Sequence, residues 1–193
     1  EKYFCTMAGE ADFYVIWALL ENSLNTSEGL RFAVVDSKKE GFSIAHRWDA
    51  YAMRATTSHS MKYQNVQLDE EDIVGKAGDV DRIDLVPKFG LGYSAIYLGI
   101  GAAALEWTTS YAKKRKLKPD NVPIASYPQV QRLLGEMNIS HESAKLMIQR
   151  AAWKLEKFST EEAFLAINEA KYAASKASAF ITDKAIQVLG GPG

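Results

Sequence analysis

The sequence predicts an α+β protein: an antiparallel β-barrel or sandwich remnant over residues 1–78, then an antiparallel long-helix bundle over residues 79–193. Three observations predict it. Short apolar runs separated by turn clusters occupy the first part of the chain. Long stretches with apolar residues three, four or seven apart occupy the rest. The connections between those stretches are short, which sets successive helices side by side and antiparallel.

The strands follow in order from Tyr3 to about Leu68. "DFYVIWALL" (residues 12–20) leads into the polar loop "ENSLNTSEG" (21–29), then "LRFAVVD" (30–36), the turn "SKKEG", and "FSI". "HSMKYQNVQL" (59–68) places Met61 and Tyr63 on one face. Aromatic and β-branched residues between Gly, Asn and Ser clusters favour about five antiparallel strands. The boundary is expected within "EEDIVGKAGD", residues 70–79.

Three helices follow. The first should run from near Asp84 to Lys116, with Pro87 tolerated in its opening turn. The second has Ser126 followed three residues later by Gln129, which reads as a capping box. Its apolar stripe is Leu133, Met137, Ala144, Ile148, Ala151 and Leu155. The third starts with a second such box, Ser159 and Glu162, and carries the stripe Ala163, Ala166, Ile167, Ala170, Ala173, Ala174, Ala177, Phe180 and Ile181. Small residues let helices approach closely, so close packing within the bundle is the default reading of this stripe; a flat face against another subunit is the alternative. Gly90, Gly92, Gly99 and Gly101 lie inside the first helix, where each costs up to about 1 kcal/mol against alanine. Close packing or a bulky ligand must offset that.

Composition narrows the function. A net charge of −1 gives no electrostatic case for nucleic acid or an anionic membrane. No unbroken run of 18 apolar residues is present, so no bilayer span is expected. The single cysteine, Cys5, excludes an internal disulfide framework and suits a reducing compartment, the cytoplasm or a mitochondrial matrix. It reads as a small buried hydrophobe rather than a nucleophile. Neither end looks like a terminus, so the chain is expected to be part of something longer. The common nucleotide, metal and nucleophile motifs are missing, and His46, His59 and His141 are too scattered for a metal site. His59, in "TTSHS", reads as a hydrogen-bonding turn residue. The closing "QVLGGPG" reads first as a helix cap followed by a proline stop.

Several blocks in order nevertheless resemble the acyl-CoA dehydrogenase superfamily of flavoproteins. They are "YFCTMAGEADFYVIWAL", "GFSIAHRWDAYAMRATTSHSMKYQNVQLDEEDIVG", "LGIGAAALEWTTSYAKKRK", "VQRLLGEMNISHESAKLMIQRAAWKLE" and "KYAASKASAFITDKAIQVLGG". The resemblance implies FAD as cofactor and removal of two hydrogens from an acyl-CoA thioester in fatty acid metabolism. It implies electron-transferring flavoprotein as acceptor and a homo-tetramer or dimer. Phe4 stands where the family has a tryptophan beside the isoalloxazine, and Thr6 matches a threonine near flavin N5 and O4. Arg115 matches the arginine that meets the FAD pyrophosphate, a task suited to a planar guanidinium. Gln187, Gly190 and Gly191 match the turn that receives the ADP portion, largely from a neighbouring subunit.

In the commonest branch a glutamate beyond that turn takes the α-proton, and the sequence stops before it. A second branch places the base at the position of Phe89, with an arginine at the position of Gly90; phenylalanine cannot abstract a proton. No catalytic base is therefore assigned, and Asp84 reads as a helix cap. Lys118-Pro119 replaces the usual Phe-Gly. "FGLGYSAIYLGIGAAAL" is similar also to flavin-dependent monooxygenases of the same fold, and a non-catalytic helical scaffold is a third reading.

Overall fold

Strand β1 (Lys2–Cys5) opens the chain, followed by β2 (Phe13–Leu19), a single turn α1 (Thr26–Gly29), β3 (Leu30–Asp36), β4 (Phe42–His46), β5 (His59–Tyr63) and β6 (Ile73–Val74). The computed structural model describes residues 1–21, 23, 26–79 and 85–190. It divides into two units, Glu1–Ile83 and Asp84–Gly193.

Unit 1 holds two antiparallel three-stranded sheets, ordered β1-β5-β4 and β2-β3-β6. No closed barrel forms among the described residues; the strands stay in two sheets, which corrects the barrel form of the expectation. Alternation on β2 turns Tyr14 and Ile16 inward. They meet Met61, Phe42 and Tyr63 of the other sheet, around a small core with Ala8 and Cys5. Burial above all, with smaller contributions from Cys5 and Tyr14, pushes the Tyr63 phenol up to about 12. β3 spans the residues expected of it, paired with β2 from Phe13↔Asp36 to Leu19↔Leu30. β5 stops at Tyr63 rather than running to Leu68, because Asn65 turns left-handed at φ 53°. β6, two residues long, joins the free edge of β3 from a segment expected to be a linker.

One ion pair ties the loops of this unit. The Lys39 ammonium donates to Asp72 at 2.5 Å and to the Gln67 carbonyl at 3.1 Å. That bond from Lys39, then the Asp69 backbone N–H, holds the Asp72 carboxyl below the usual carboxylate range. A carboxyl depressed on folding stabilises above its unfolded pKa, about 3.9, and loses the contribution as pH falls through its folded value. Asp72→Asn is therefore expected to lower the melting temperature of unit 1 at neutral pH. The deficit should shrink to nothing as the pH is taken well below 4, as read in thermal melts across that range.

Unit 2 consists of α2 (Leu85–Lys114), α3 (Pro128–Lys157) and α4 (Thr160–Leu189). Ser159 and Glu162 form the expected capping box of α4. Ser126 and Gln129 do not. Proline disfavours helical backbone in the residue before it, so Tyr127 is extended, Pro128 occupies the first turn, and Ser126 ends a separate 3-10 turn. A two-residue hairpin, β7 (Lys116–Leu117) with β8 (Val122–Pro123), fills the α2–α3 connection.

The alanine stripe of α4 is the inside of the bundle. Ala163, Ala166 and Ala170 are buried with Ala151 of α3, packed by Leu91 of α2 and by Met147, Ile148 and Leu155. Farther along, Ile181 and Ala177 meet Met137 and Ala144 of α3 and Leu98 of α2. Buried Ser94 and Thr108 return their hydroxyls to carbonyls four residues back, at 2.8 and 2.6 Å.

The four glycines of α2 divide in two. A Cβ on Gly90 would lie 3.1 Å from Ile167, and one on Gly101 would lie 3.2 Å from the Ile181 Cδ1 and 3.6 Å from the Ser178 Cα. These two allow α2 and α4, which run parallel, to approach. A Cβ on Gly92 or Gly99 would meet nothing within 4 Å among the described residues. Gly92→Ala and Gly99→Ala are expected to raise stability by about 0.5–1 kcal/mol each, since alanine is the better helix former. Gly101→Val should cost about 1–3 kcal/mol by overpacking against buried Ile181. Urea unfolding of the three variants checks the division.

The outward side of α2 carries Phe89, Tyr93, Ile96, Ile100 and Trp107, all about half exposed. Residues Pro87–Lys114 are long and apolar enough to cross a membrane by length and composition alone, an 18-residue window within them reaching mean hydropathy 1.2. The sequence holds no unbroken apolar run here because Tyr, Ser and Gly interrupt it, and this departs from the expectation of no bilayer span. The inward side of the same helix is packed against α4.

Candidate functional site

Unit 1 presents its expected residues on a distorted edge. β1 pairs with β5 at Lys2↔Met61 and Cys5↔His59, so three steps on β1 oppose two on β5. The extra residue makes a β-bulge, a device that re-aims a side chain and is common beside functional sites. Phe4 lies within it, in the left-handed region at φ 57° and 73% exposed. Its ring meets Trp48 edge to face, with centroids 6.0 Å apart and planes at 86°. Thr6 follows two residues later in an exposed turn.

That turn is anchored from beneath. The buried Tyr14 hydroxyl accepts from the Gly9 N–H at 2.8 Å and donates to the Met7 carbonyl at 3.2 Å. Across the surface, the Met7 N–H donates to the Thr56 carbonyl at 2.8 Å. Residues 47–58 are pinned in turn. The Trp48 backbone N–H donates to His59 Nδ1 at 2.6 Å, and the indole N–H donates to the Met53 carbonyl at 3.0 Å. His59 is thus hydrogen-bonding as expected, but it opens strand β5 rather than sitting in a turn. Burial pushes the Cys5 thiol up, against a weaker opposing pull from Lys2, which suits a packing residue and not a nucleophile.

Unit 2 gathers its expected residues at one end. Ala112 near the close of α2 and Val188 near the close of α4 share one buried cluster with Ile124. Arg115 and Gly190 therefore emerge from the same end of the bundle. Arg115 is exposed, its N–H bonded to the Tyr111 carbonyl and its carbonyl accepting from the Ile124 N–H, both at 2.8 Å. Lys113, Lys114, Lys116 and Lys118 are exposed around it, giving an electropositive end suited to phosphate. Gln187 is exposed on α4, its amide donating to Asp183 at 2.9 Å while its oxygen accepts from Lys184 at 3.2 Å. Gly190 caps α4 at φ 65°, with no atom of the described residues within 4 Å of where a Cβ would stand. Gly191 lies outside the described residues, as does Asp84. Phe89 is exposed beside Tyr93 on α2, with no titratable atom of its own. No cluster of metal-ligating side chains occurs among the described residues.

Residues 91–193 match the family model described as acyl-CoA dehydrogenase, C-terminal domain. The chain belongs to the acyl-CoA dehydrogenase family. A 3-(aryl)acrylate reductase of Clostridium sporogenes is 31% identical over the whole chain, which covers 50% of that protein. The mitochondrial short-chain specific acyl-CoA dehydrogenase of Sus scrofa is 30% identical, again over the whole chain, with 46% of its own length covered. The chain thus spans about half the length of these curated relatives. Butyryl-CoA dehydrogenase from Megasphaera elsdenii has the same fold, with a TM-score of 0.83 at 24% identity over 98% of this chain and 49% of that one.

What family resemblance alone did not supply is the support behind the site. The bulge at Phe4, the Tyr14 anchor and the Trp48 links depend on register and turn geometry. No sequence signal sets Trp48 apart, since its loop also carries Tyr51 and Met53.

Proposed function

We propose that the protein is an FAD-dependent oxidoreductase acting on the C2–C3 bond of an acyl-CoA thioester, with electron-transferring flavoprotein as redox partner. The observation that carries this reading is the bulge that turns Phe4 outward beside exposed Thr6, in a chain of this family. The residues fit the cofactor, unit by unit. In unit 1 an exposed aromatic ring offers a face to a planar ring system, and the Thr6 hydroxyl offers a donor near it. In unit 2 Arg115 offers a bidentate donor to a pyrophosphate, and Gly190 leaves its backbone open to close approach. Gln187 would hold the adenine-nucleotide end, contributed between subunits of a dimer or tetramer.

FAD would supply a two-electron acceptor. This chain's own residues bind and orient it. None of the described residues is assigned as the base that removes the α-proton, and Phe89 has no proton acceptor. The relatives are named a reductase and a dehydrogenase, and both directions act on the same type of carbon–carbon bond. The reaction belongs in fatty acid metabolism, in the cytoplasm or a mitochondrial matrix.

Titration of the purified protein with FAD is expected to give a saturable yellow complex that a short acyl-CoA bleaches without oxygen. Arg115→Ala should weaken FAD binding by about tenfold or more, the worth of a hydrogen bond from a charged group. The melting temperature without FAD should stay unchanged, because the side chain is exposed. A protein that stays colourless at every FAD concentration would overturn the proposal.

A further inference from the structure

We propose that Trp48 is a positioning residue for the flavin-facing edge of unit 1, holding the ring of Phe4 and tying it to the turn at residues 53–57. The inference rests on the flavin reading above. It comes from where the strained backbone lies. Six non-glycine residues among those described are left-handed: Phe4, Met7, Met53, Thr57, Asn65 and Asn121. Asparagine tolerates that conformation through local hydrogen bonding; phenylalanine, methionine and threonine do not. The four residues that should resist it all belong to one network, and strain of this kind persists only where its surroundings impose it.

The network runs through Trp48. Phe4 is too exposed for burial to fix its ring, and among the described residues the one aromatic ring beside it is that of Trp48. Trp48 is itself held at two points, its backbone N–H on His59 and its indole N–H on the Met53 carbonyl. The Thr56 hydroxyl shares that carbonyl at 2.8 Å, and the Thr56 carbonyl receives the Met7 N–H. Thr57, next in sequence, keeps a buried hydroxyl without a hydrogen-bond partner among the described residues. The edge-to-face contact with Trp48 spares at least one face of the Phe4 ring for a planar ligand.

The test compares Trp48→Ala and Trp48→Phe with the unaltered protein, using FAD and ADP as probes and reading affinity, the visible spectrum of bound FAD and its midpoint potential. Trp48→Ala is expected to weaken FAD at least tenfold and to shift the spectrum and potential, with ADP affinity unchanged. Trp48→Phe keeps a ring against Phe4 but loses the bond to Met53, and should recover most of the affinity. Equal FAD affinity and an identical spectrum in Trp48→Ala overturn the inference. So does equal loss of FAD and ADP with a collapsed circular dichroism spectrum, which marks a merely structural role, and so does failure of Trp48→Phe to recover any affinity when it folds normally. If the unaltered protein binds no FAD, the flavin reading itself fails and this inference falls with it; if it binds and only the variants behave as wild type, this inference alone is lost.

Discussion

Replacing Ala170 with glutamate is expected to unfold the helical unit. Ala170 is fully buried where α2, α3 and α4 meet, among Ala151, Ala163, Ala166 and Ile167. The residues packed around it are apolar, so a carboxylate there would lose its hydration. The effective penalty for such an ion is several kcal/mol even after relaxation. Taking up a proton would lessen the charge term, but the added carbons would still overpack a site that holds only a methyl group. Domains of this size are stable by about 5–15 kcal/mol in total. The control is Asn168→Glu, two residues away and exposed, where the change should stay within about 0.5 kcal/mol. Circular dichroism melts and urea titrations compare the two. If Ala170→Glu melted like its control, the alanine stripe would be a free face, as a subunit-contact reading of it requires.

That stripe shows how far the sequence could be read. Spacing at three, four and seven identified which side of the last helix is special, because periodicity is a local property. It left open what the side meets, since the neighbour is α2, some 70 residues earlier in the chain. The glycines of α2 illustrate the same limit: all four break helix propensity alike, yet only Gly90 and Gly101 have a neighbour that needs their missing Cβ. Caps were legible where they are self-contained, as at Ser159 and Glu162, and misread where a following proline overrode the pattern, as at Ser126. In unit 1 the run from Leu30 to Asp36 announced a strand, bounded by Gly29 and a turn. Nothing in "KYFC" announces a bulge, because the two-to-three register is set by β5, more than 50 residues away. The positions of Phe4, Thr6, Arg115, Gln187 and Gly190 came from family resemblance. The physical reasons that Phe4 is outward and that Arg115 and Gly190 share one end came only from the fold.

Met61→Ala is the other substitution with a large expected effect, and it links the core of unit 1 to its candidate site. Met61 is fully buried on β5, the central strand of its sheet, opposite Lys2 of β1 and Ile44 of β4. Truncating a buried methionine costs about 2–5 kcal/mol, the spread depending on how far the cavity collapses. Collapse should be limited here. The neighbours are the Tyr14, Phe42 and Tyr63 rings, which pack against one another at centroid distances of 5.0 and 5.3 Å. The Tyr63 hydroxyl would also lose the Met61 sulfur it reaches at 3.8 Å. With so small a core, unit 1 should melt well before unit 2, which the substitution leaves untouched. Because Met61 lies opposite β1, loosening it should also free the bulge, so that FAD affinity falls while ADP affinity holds. Met61→Leu nearly conserves volume and should cost less than about 1.5 kcal/mol. Urea unfolding followed by tryptophan fluorescence, with FAD titrations alongside, measures both effects. A Met61→Ala protein within about 1 kcal/mol of wild type would mean that β5 is not the strand on which β1 and its outward phenylalanine depend.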